Sequence, residues 1–140
     1  MPIIAKEIQC NLAKKAAEEL DSYKKELIEE EIAGYSKQYK ECRWYQDPTL
    51  KEILGDTRYA DFIELKEALK EDCGRICELV DSLEASAQEM GRSWWDEDLQ
   101  CERSGSEWET EFYTRLRNIA AKAAGRPEAD WRDFYEGYGY

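Results

Sequence analysis

Residues 69–90 read LKEDCGRICELVDSLEASAQEM. Leu69, Cys73, Ile76, Val80, Leu83, Ala87 and Met90 step by four, three, four, three, four and three residues. That is a 3.5-residue apolar seam, the pattern of helices packed side by side in a bundle or coiled coil. Phe62 and Leu65 carry the same face upstream. Thr57 is placed to cap this helix and Gly91 to end it. Gly74 costs about 1 kcal/mol against Ala in a helix interior, and its missing side chain would let another helix approach.

Working outward, Ile4, Ile8, Leu12, Ala16, Leu20, Tyr23, Leu27, Ile32, Tyr35 and Tyr39 mark one apolar face over about Ile3 to Trp44. Gly34 marks a bend or break in it. Asp47-Pro48 is a helix start, with Asp capping and Pro at the first helical position, and Gly55 ends that short helix. Downstream, Ser93-Trp94-Trp95-Asp96 and Ser106-Glu107-Trp108-Glu109 have capping-box spacing. The first predicts a short helical piece toward Cys101, the second a longer helix. Ser104-Gly105 breaks the two apart. Trp108, Phe112, Leu116, Ile119, Ala120 and Ala123 give the longer helix one core face, and it ends near Gly125, with Pro127 beyond. A last turn through Trp131, Phe134 and Tyr135 leads to a loose tail over about 136–140.

No window alternates apolar and polar residues, and good helix formers dominate. The expectation is one all-α domain over 1–140. It is a helical bundle with two long helices, one medium helix and short connecting helices.

Composition supports an ordered chain. Hydrophobic residues make up 42% and aromatics 12%, more than a disordered chain carries. The N-terminus lacks a signal peptide's apolar run, because Lys6 and Glu7 interrupt it. No stretch approaches the length of a membrane span. The expected location is the cytoplasm, of a bacterial host cell if the protein is phage-encoded. Five scattered cysteines, Cys10, Cys42, Cys73, Cys77 and Cys101, then read as reduced thiols.

Chemistry is constrained by what is missing. The chain has no histidine. That removes imidazole metal ligands and Cys-His or Ser-His-Asp nucleophile schemes. Cys73 and Cys77 lack the second pair a structural zinc wants. No phosphate-cradling glycine motif occurs. No enzyme activity, metal or cofactor is expected. The start Pro2-Ile3-Ile4 resembles the tautomerase superfamily, whose N-terminal proline is a general base within a β-strand. The family's β-α-β pattern is absent, since Ala5 to Glu31 reads as helix.

Charge carries the functional reading. The net charge is −12. Residues 1–45 hold nine Asp/Glu against eight Lys/Arg, whereas residues 61–111 hold sixteen against five, a net of −11. Such a field repels nucleic acid and anionic membrane and attracts basic protein surfaces. On the helix from Asp61, Glu64, Glu71 and Glu78 recur every seven residues, with Glu67 and Asp81 beside them. Together they form a carboxylate ladder along one edge. Trp94, Trp95, Asp96, Glu97 and Asp98 follow, then Glu102, Glu107, Glu109 and Glu111. These fourteen residues are the expected partner-binding set. For the two adjacent tryptophans, one reading buries one and exposes the other beside the acids, as an anchor ringed by charge; the alternative buries both.

In size and composition the chain is similar to small acidic phage proteins such as anti-CRISPR proteins and DNA mimics, a likeness of class without a shared motif. It implies an inhibitor that blocks a basic nucleic-acid-binding protein sterically and electrostatically. The alternatives are an immunity protein or antitoxin neutralising a nuclease toxin, and a structural adaptor or homodimer pairing through the Leu69–Met90 seam.

Overall fold

The computed structural model describes residues 2–36, 41–44, 46, 48–71, 73–103 and 105–136. Tyr39, Asp47 and the tail beyond 136 lie outside the described residues. So do the side chains of Ile4, Ile8, Tyr35, Cys73 and Glu102, and the expectations placed on them. Helix α1 spans Pro2–Glu31 and runs into a π-helical turn at Ile32–Ser36, around the expected bend at Gly34. Helices α2 (Leu50–Glu71), α3 (Ile76–Gly91) and α4 (Glu107–Ala124) follow. The chain is the all-α bundle that its periodicity predicts.

The seam of residues 69–90 is not one helix. A 3-10 turn at Cys73–Arg75 separates α2 from α3. Leu65, Leu69, Ile76, Val80, Leu83 and Ala87 are nevertheless all buried, so the apolar spacing holds while two helices deliver it. Gly74 lies in the turn and is exposed. Its helix penalty favours the break rather than a close helix approach. Leu69, Ile76, Val80, Leu83 and Ala87 of the seam thus pack into this chain's own core.

Helix α4 is central, packed against α3 and α1, while α2 packs on α1. Besides the expected Phe112, Leu116, Ile119, Ala120 and Ala123, it buries Tyr113, Thr114, Arg117 and Ala121. One apolar face was too narrow an expectation, because a helix flanked on two sides is buried over more than one stripe, leaving Trp108, Glu111, Arg115 and Lys122 on its exposed side. Trp108 goes the other way. It sits in the first turn of α4 and is 43% exposed. Its ring stacks on Phe112 at 5.7 Å, and the Arg58 guanidinium lies 5.5 Å from it.

Local chemistry sets the helix ends. The Glu52 amide donates to Thr49 Oγ1 at 3.2 Å, which makes Thr49 the cap of α2. Gly55, at φ 81° and ψ 171°, interrupts the helical path inside α2, where the short helix was expected to end. Ser106 Oγ accepts the Glu109 amide, so that cap is as predicted. Gly125 is left-handed at φ 72°, and the Arg126 amide donates back to the Ala121 carbonyl at 2.8 Å, closing α4 as a glycine C-cap.

Between α3 and α4 the expected helical piece is instead a β-hairpin. Strands β1 (Trp94–Asp96) and β2 (Cys101–Arg103) pair antiparallel, with Trp94 opposite Arg103 and Asp96 opposite Cys101. Asp96 decides this. Its Oδ1 accepts the amides of Asp98 at 3.0 Å and Leu99 at 3.2 Å, folding residues 97–100 into a turn. An aspartate that binds nearby backbone amides competes with helix, and adjacent tryptophans favour extended chain. Gln100 takes the left-handed position at φ 52°, and its Nε2 donates to the Glu97 carbonyl.

The hairpin leaves and rejoins the bundle at one crossing. The Ser106 amide donates to the Met90 carbonyl and the Glu136 amide to the Gly91 carbonyl, each at 2.8 Å. Glu136 Oε2 accepts the Ser93 amide at 2.9 Å. A Cβ on Gly105 would stand 2.4 Å from the Gly91 backbone, and one on Gly91 would stand 2.0 Å from the Phe134 carbonyl oxygen. Only glycine lets the three backbone segments meet so closely. Further along, the Asn118 amide clasps the backbone N–H and C=O of Ala129 at 2.9 and 2.8 Å. Arg117 Nη1 donates to the Pro127 carbonyl at 2.7 Å. The segment after α4 is thereby fixed along it.

Candidate protein-binding surface

The predicted carboxylate ladder is divided by the turn at Cys73–Arg75. Glu64, Glu67 and Glu71 belong to α2, and Glu78 and Asp81 to α3. Among the described residues, Glu64, Asp81 and Glu109 of the predicted set are drawn into ion pairs within the fold. Glu64 pairs with Arg75, Asp81 with Arg126 at 3.0 Å, and Glu109 with Arg58 at 3.3 Å. Half-exposed pairs of this kind contribute at most about 1 kcal/mol each, but they do lower the free charge of the surface. Glu107 and Glu109 also occupy the first turn of α4, where carboxylates complement the helix dipole.

What the sequence reading missed is where the cations go. Arg115, Arg117 and Lys122 lie on α4, and Arg126 lies just beyond it. They reach Glu26 at 3.4 Å, Glu84 at 3.3 Å, Glu19 at 3.2 Å and Asp81 at 3.0 Å. The cations of the central helix and its C-terminal end thus face acids of α1 and α3. Their clustering from residue 115 to 126 was the available signal. Arg117 is the deeply buried member; its Nε faces Glu84 without hydrogen-bond alignment, while Nη1 is held by Pro127 and Asn118.

Glu67, Glu71, Glu78, Glu97, Asp98, Glu107 and Glu111 are exposed and have no ion-pair partner among the described residues. Asp96 differs from its two neighbours. It is 9% exposed and holds the turn, so it is a structural residue rather than a contact.

Neither expectation for the tryptophan pair is met. Trp94 is 52% and Trp95 57% exposed, and Leu99 at the turn is 59% exposed. Successive strand residues point to opposite faces. Both faces remain open here because the hairpin packs mainly against itself. The result is a short projection with two tryptophans, a leucine and the carboxylates of Glu97 and Asp98 at its turn.

Among the described residues no helix is long and apolar enough to cross a membrane. Cys77 and Cys101 are exposed thiols, and Cys42 is half-buried. No protein-family model, curated protein or solved structure matches the chain.

Proposed function

We propose that this protein is a non-enzymatic inhibitor that occupies the basic, nucleic-acid-binding surface of a larger protein. The hairpin carries this reading. Exposed Trp94, Trp95 and Leu99 supply apolar contact area, and Glu97 and Asp98 surround it with negative charge. Aromatic anchors within a polar rim are the composition of binding hot spots. The net charge of −12 steers a basic partner toward the molecule and excludes nucleic acid from competing for it. Carboxylates then stand where phosphates would, and the bundle blocks access.

The test is affinity capture from a bacterial lysate at low and moderate salt, comparing the wild type with Glu97→Lys/Asp98→Lys and with Trp94→Ser/Trp95→Ser. A basic nucleic-acid enzyme recovered in stoichiometric amount is expected. Each double variant should weaken its binding by about tenfold, or 1.4 kcal/mol. Glu18→Lys/Glu29→Lys, on the exposed side of α1, should matter less. Equal binding by all variants, or an association rate indifferent to salt, would refute the proposal.

A further inference from the structure

A pocket of about 340 Å³ opens between α1 and α2. That volume lies within the range of small-molecule sites. Its charged lining is Lys24 of α1 with Lys51 and Lys66 of α2, and none of its described lining residues is acidic. The chain as a whole carries 32 Asp/Glu against 20 Lys/Arg, so a pocket with lysines alone runs against its composition. In one straight helix Lys51 and Lys66 would stand about 22 Å apart. Gly55, at φ 81° and ψ 171°, breaks the helical path between them, and both line the same pocket. Acids are kept to the other side of Tyr59 and Ile63, where Asp56, Glu64 and Glu67 line an adjoining hollow.

The fold makes little use of these lysines. Lys24, which is half-buried, and Lys66 have no ion-pair partner among the described residues. Lys51 meets Asp56 at 4.0 Å with both side chains largely exposed, a weak contact. Two hydroxyls join them. Thr49 Oγ1 accepts the Glu52 amide at 3.2 Å, which leaves its O–H to donate. The Tyr59 hydroxyl has no hydrogen-bond partner among the described residues. All five polar side chains of the lining therefore offer donors.

A ligand matched to this lining is rich in acceptors and carries several negative charges. A carboxylate brings one charge, whereas a phosphate ester brings about two and three acceptor oxygens. The net charge of −12 opposes a long polyanion. A small anion responds mainly to the lysines around it, because physiological salt screens charges beyond about 8 Å. We propose that this pocket binds a small phosphate-bearing molecule, its phosphates among Lys24, Lys51 and Lys66 with Thr49 and Tyr59 donating, and its organic part against Ile28 and Ile63. None of these residues lies on the hairpin, so the site stands whether or not the hairpin binds a partner.

The probes are pyrophosphate, ADP and uncharged adenosine, titrated at low salt into the full chain and followed by amide NMR shifts and melting temperature. The two phosphate compounds should bind with shifts centred on Lys24, Lys51, Tyr59 and Lys66, and adenosine at least tenfold more weakly. ADP tighter than pyrophosphate assigns the pocket to organic phosphates; equal affinity assigns it to free oligophosphates, and either result supports the site. Lys24→Gln/Lys66→Gln should bind ADP about tenfold more weakly and lose the rise in melting temperature that ligand gives the wild type. Lys14→Gln/Lys25→Gln makes the same change in net charge on exposed positions of α1 outside the pocket, and it should bind as wild type does. Tyr59→Phe keeps the ring and should lose about threefold. Trp94→Ser/Trp95→Ser should bind ADP like the wild type, which separates failure here from failure of the hairpin reading. No binding of either phosphate compound at millimolar concentration, adenosine binding as tight as ADP, or equal losses in the two lysine variants would overturn the proposal.

Discussion

The faces of α4 and the hairpin are both built from acids and aromatics, and they use them in opposite ways. Along α4 each cation meets a carboxylate from a neighbouring helix, and Phe112 and Tyr113 are buried beside them. On the hairpin the tryptophans are exposed, and Glu97 and Asp98 have no cation among the described residues. Helix α4 carries three cations for its three acids, whereas residues 94–103 carry four acids and one arginine, so the two regions differ in charge balance as well as in closure. Three packed helices enclose most of α4, while Trp108, Glu111, Arg115 and Lys122 stay on its exposed side. Two three-residue strands can cover only each other. Charge matched inside stabilises a fold, whereas charge unmatched outside remains free for a partner.

The comparison breaks most readily at the crossing from which the hairpin springs. Gly105→Ala puts a methyl 2.4 Å from the Gly91 backbone, and no flexible side chain is there to yield. The joint must open, with loss of the Ser106–Met90 and Glu136–Gly91 hydrogen bonds. We expect destabilisation of about 3 kcal/mol, at the upper end of ordinary overpacking, measured by urea unfolding. Gly125→Ala, at an open left-handed site with nothing within 4 Å, should cost only about 1 kcal/mol. If Gly105→Ala is as mild as Gly125→Ala, the hairpin is not anchored through this joint.

Much of the bundle was legible because period and caps agree. Ser106 and Gly125 predicted the ends of α4, and the 69–90 spacing predicted a buried face but not that two helices share it. The break at Cys73–Arg75 was not legible, since an apolar face continues across a turn when both helices serve one core. Gly74 was its visible trace. The hairpin was hidden for another reason. Ser93-x-x-Asp96 has helix-start spacing, but the Asp96 carboxylate is used by amides ahead of it instead of behind it. Of the acidic set, the sequence could place residues on faces. It could not show which would be claimed by Arg58, Arg75 and Arg126, because those pairings depend on how helices meet.

A smaller effect tests the buried side. Tyr113 donates its hydroxyl to Asp61, tying α4 to α2. Tyr113→Phe should cost about 1.5 kcal/mol, as for a hydrogen bond to a charged group. Burial, first, and then the Asp61 bond raise the Tyr113 pKa; burial likewise raises that of Tyr23. Both tyrosines therefore keep their protons in the fold at pH values where the unfolded chain loses them. Their stabilisation is complete below about pH 10 and declines as pH rises above it. Tyr23→Phe/Tyr113→Phe should flatten that alkaline decline in a pH series of melting temperatures. An unchanged alkaline limb would mean that the rings are wetter than their packing implies.

The finest distinction lies within three consecutive acids. Asp96→Ala removes the acceptor for two turn amides, as in losing a capping residue, and should cost about 1 kcal/mol. Glu97→Lys/Asp98→Lys alters two exposed carboxylates with no ion-pair partner among the described residues. It should change stability by less than about 0.5 kcal/mol. The hairpin's own amides report directly. Hydrogen exchange at Asp98 and Leu99 should speed up in Asp96→Ala and remain as in wild type in the double reversal. Should the reversal loosen those amides as much as the alanine does, the two carboxylates would belong to the turn's structure. Any loss of partner binding on their reversal would then reflect the hairpin's shape rather than its charge.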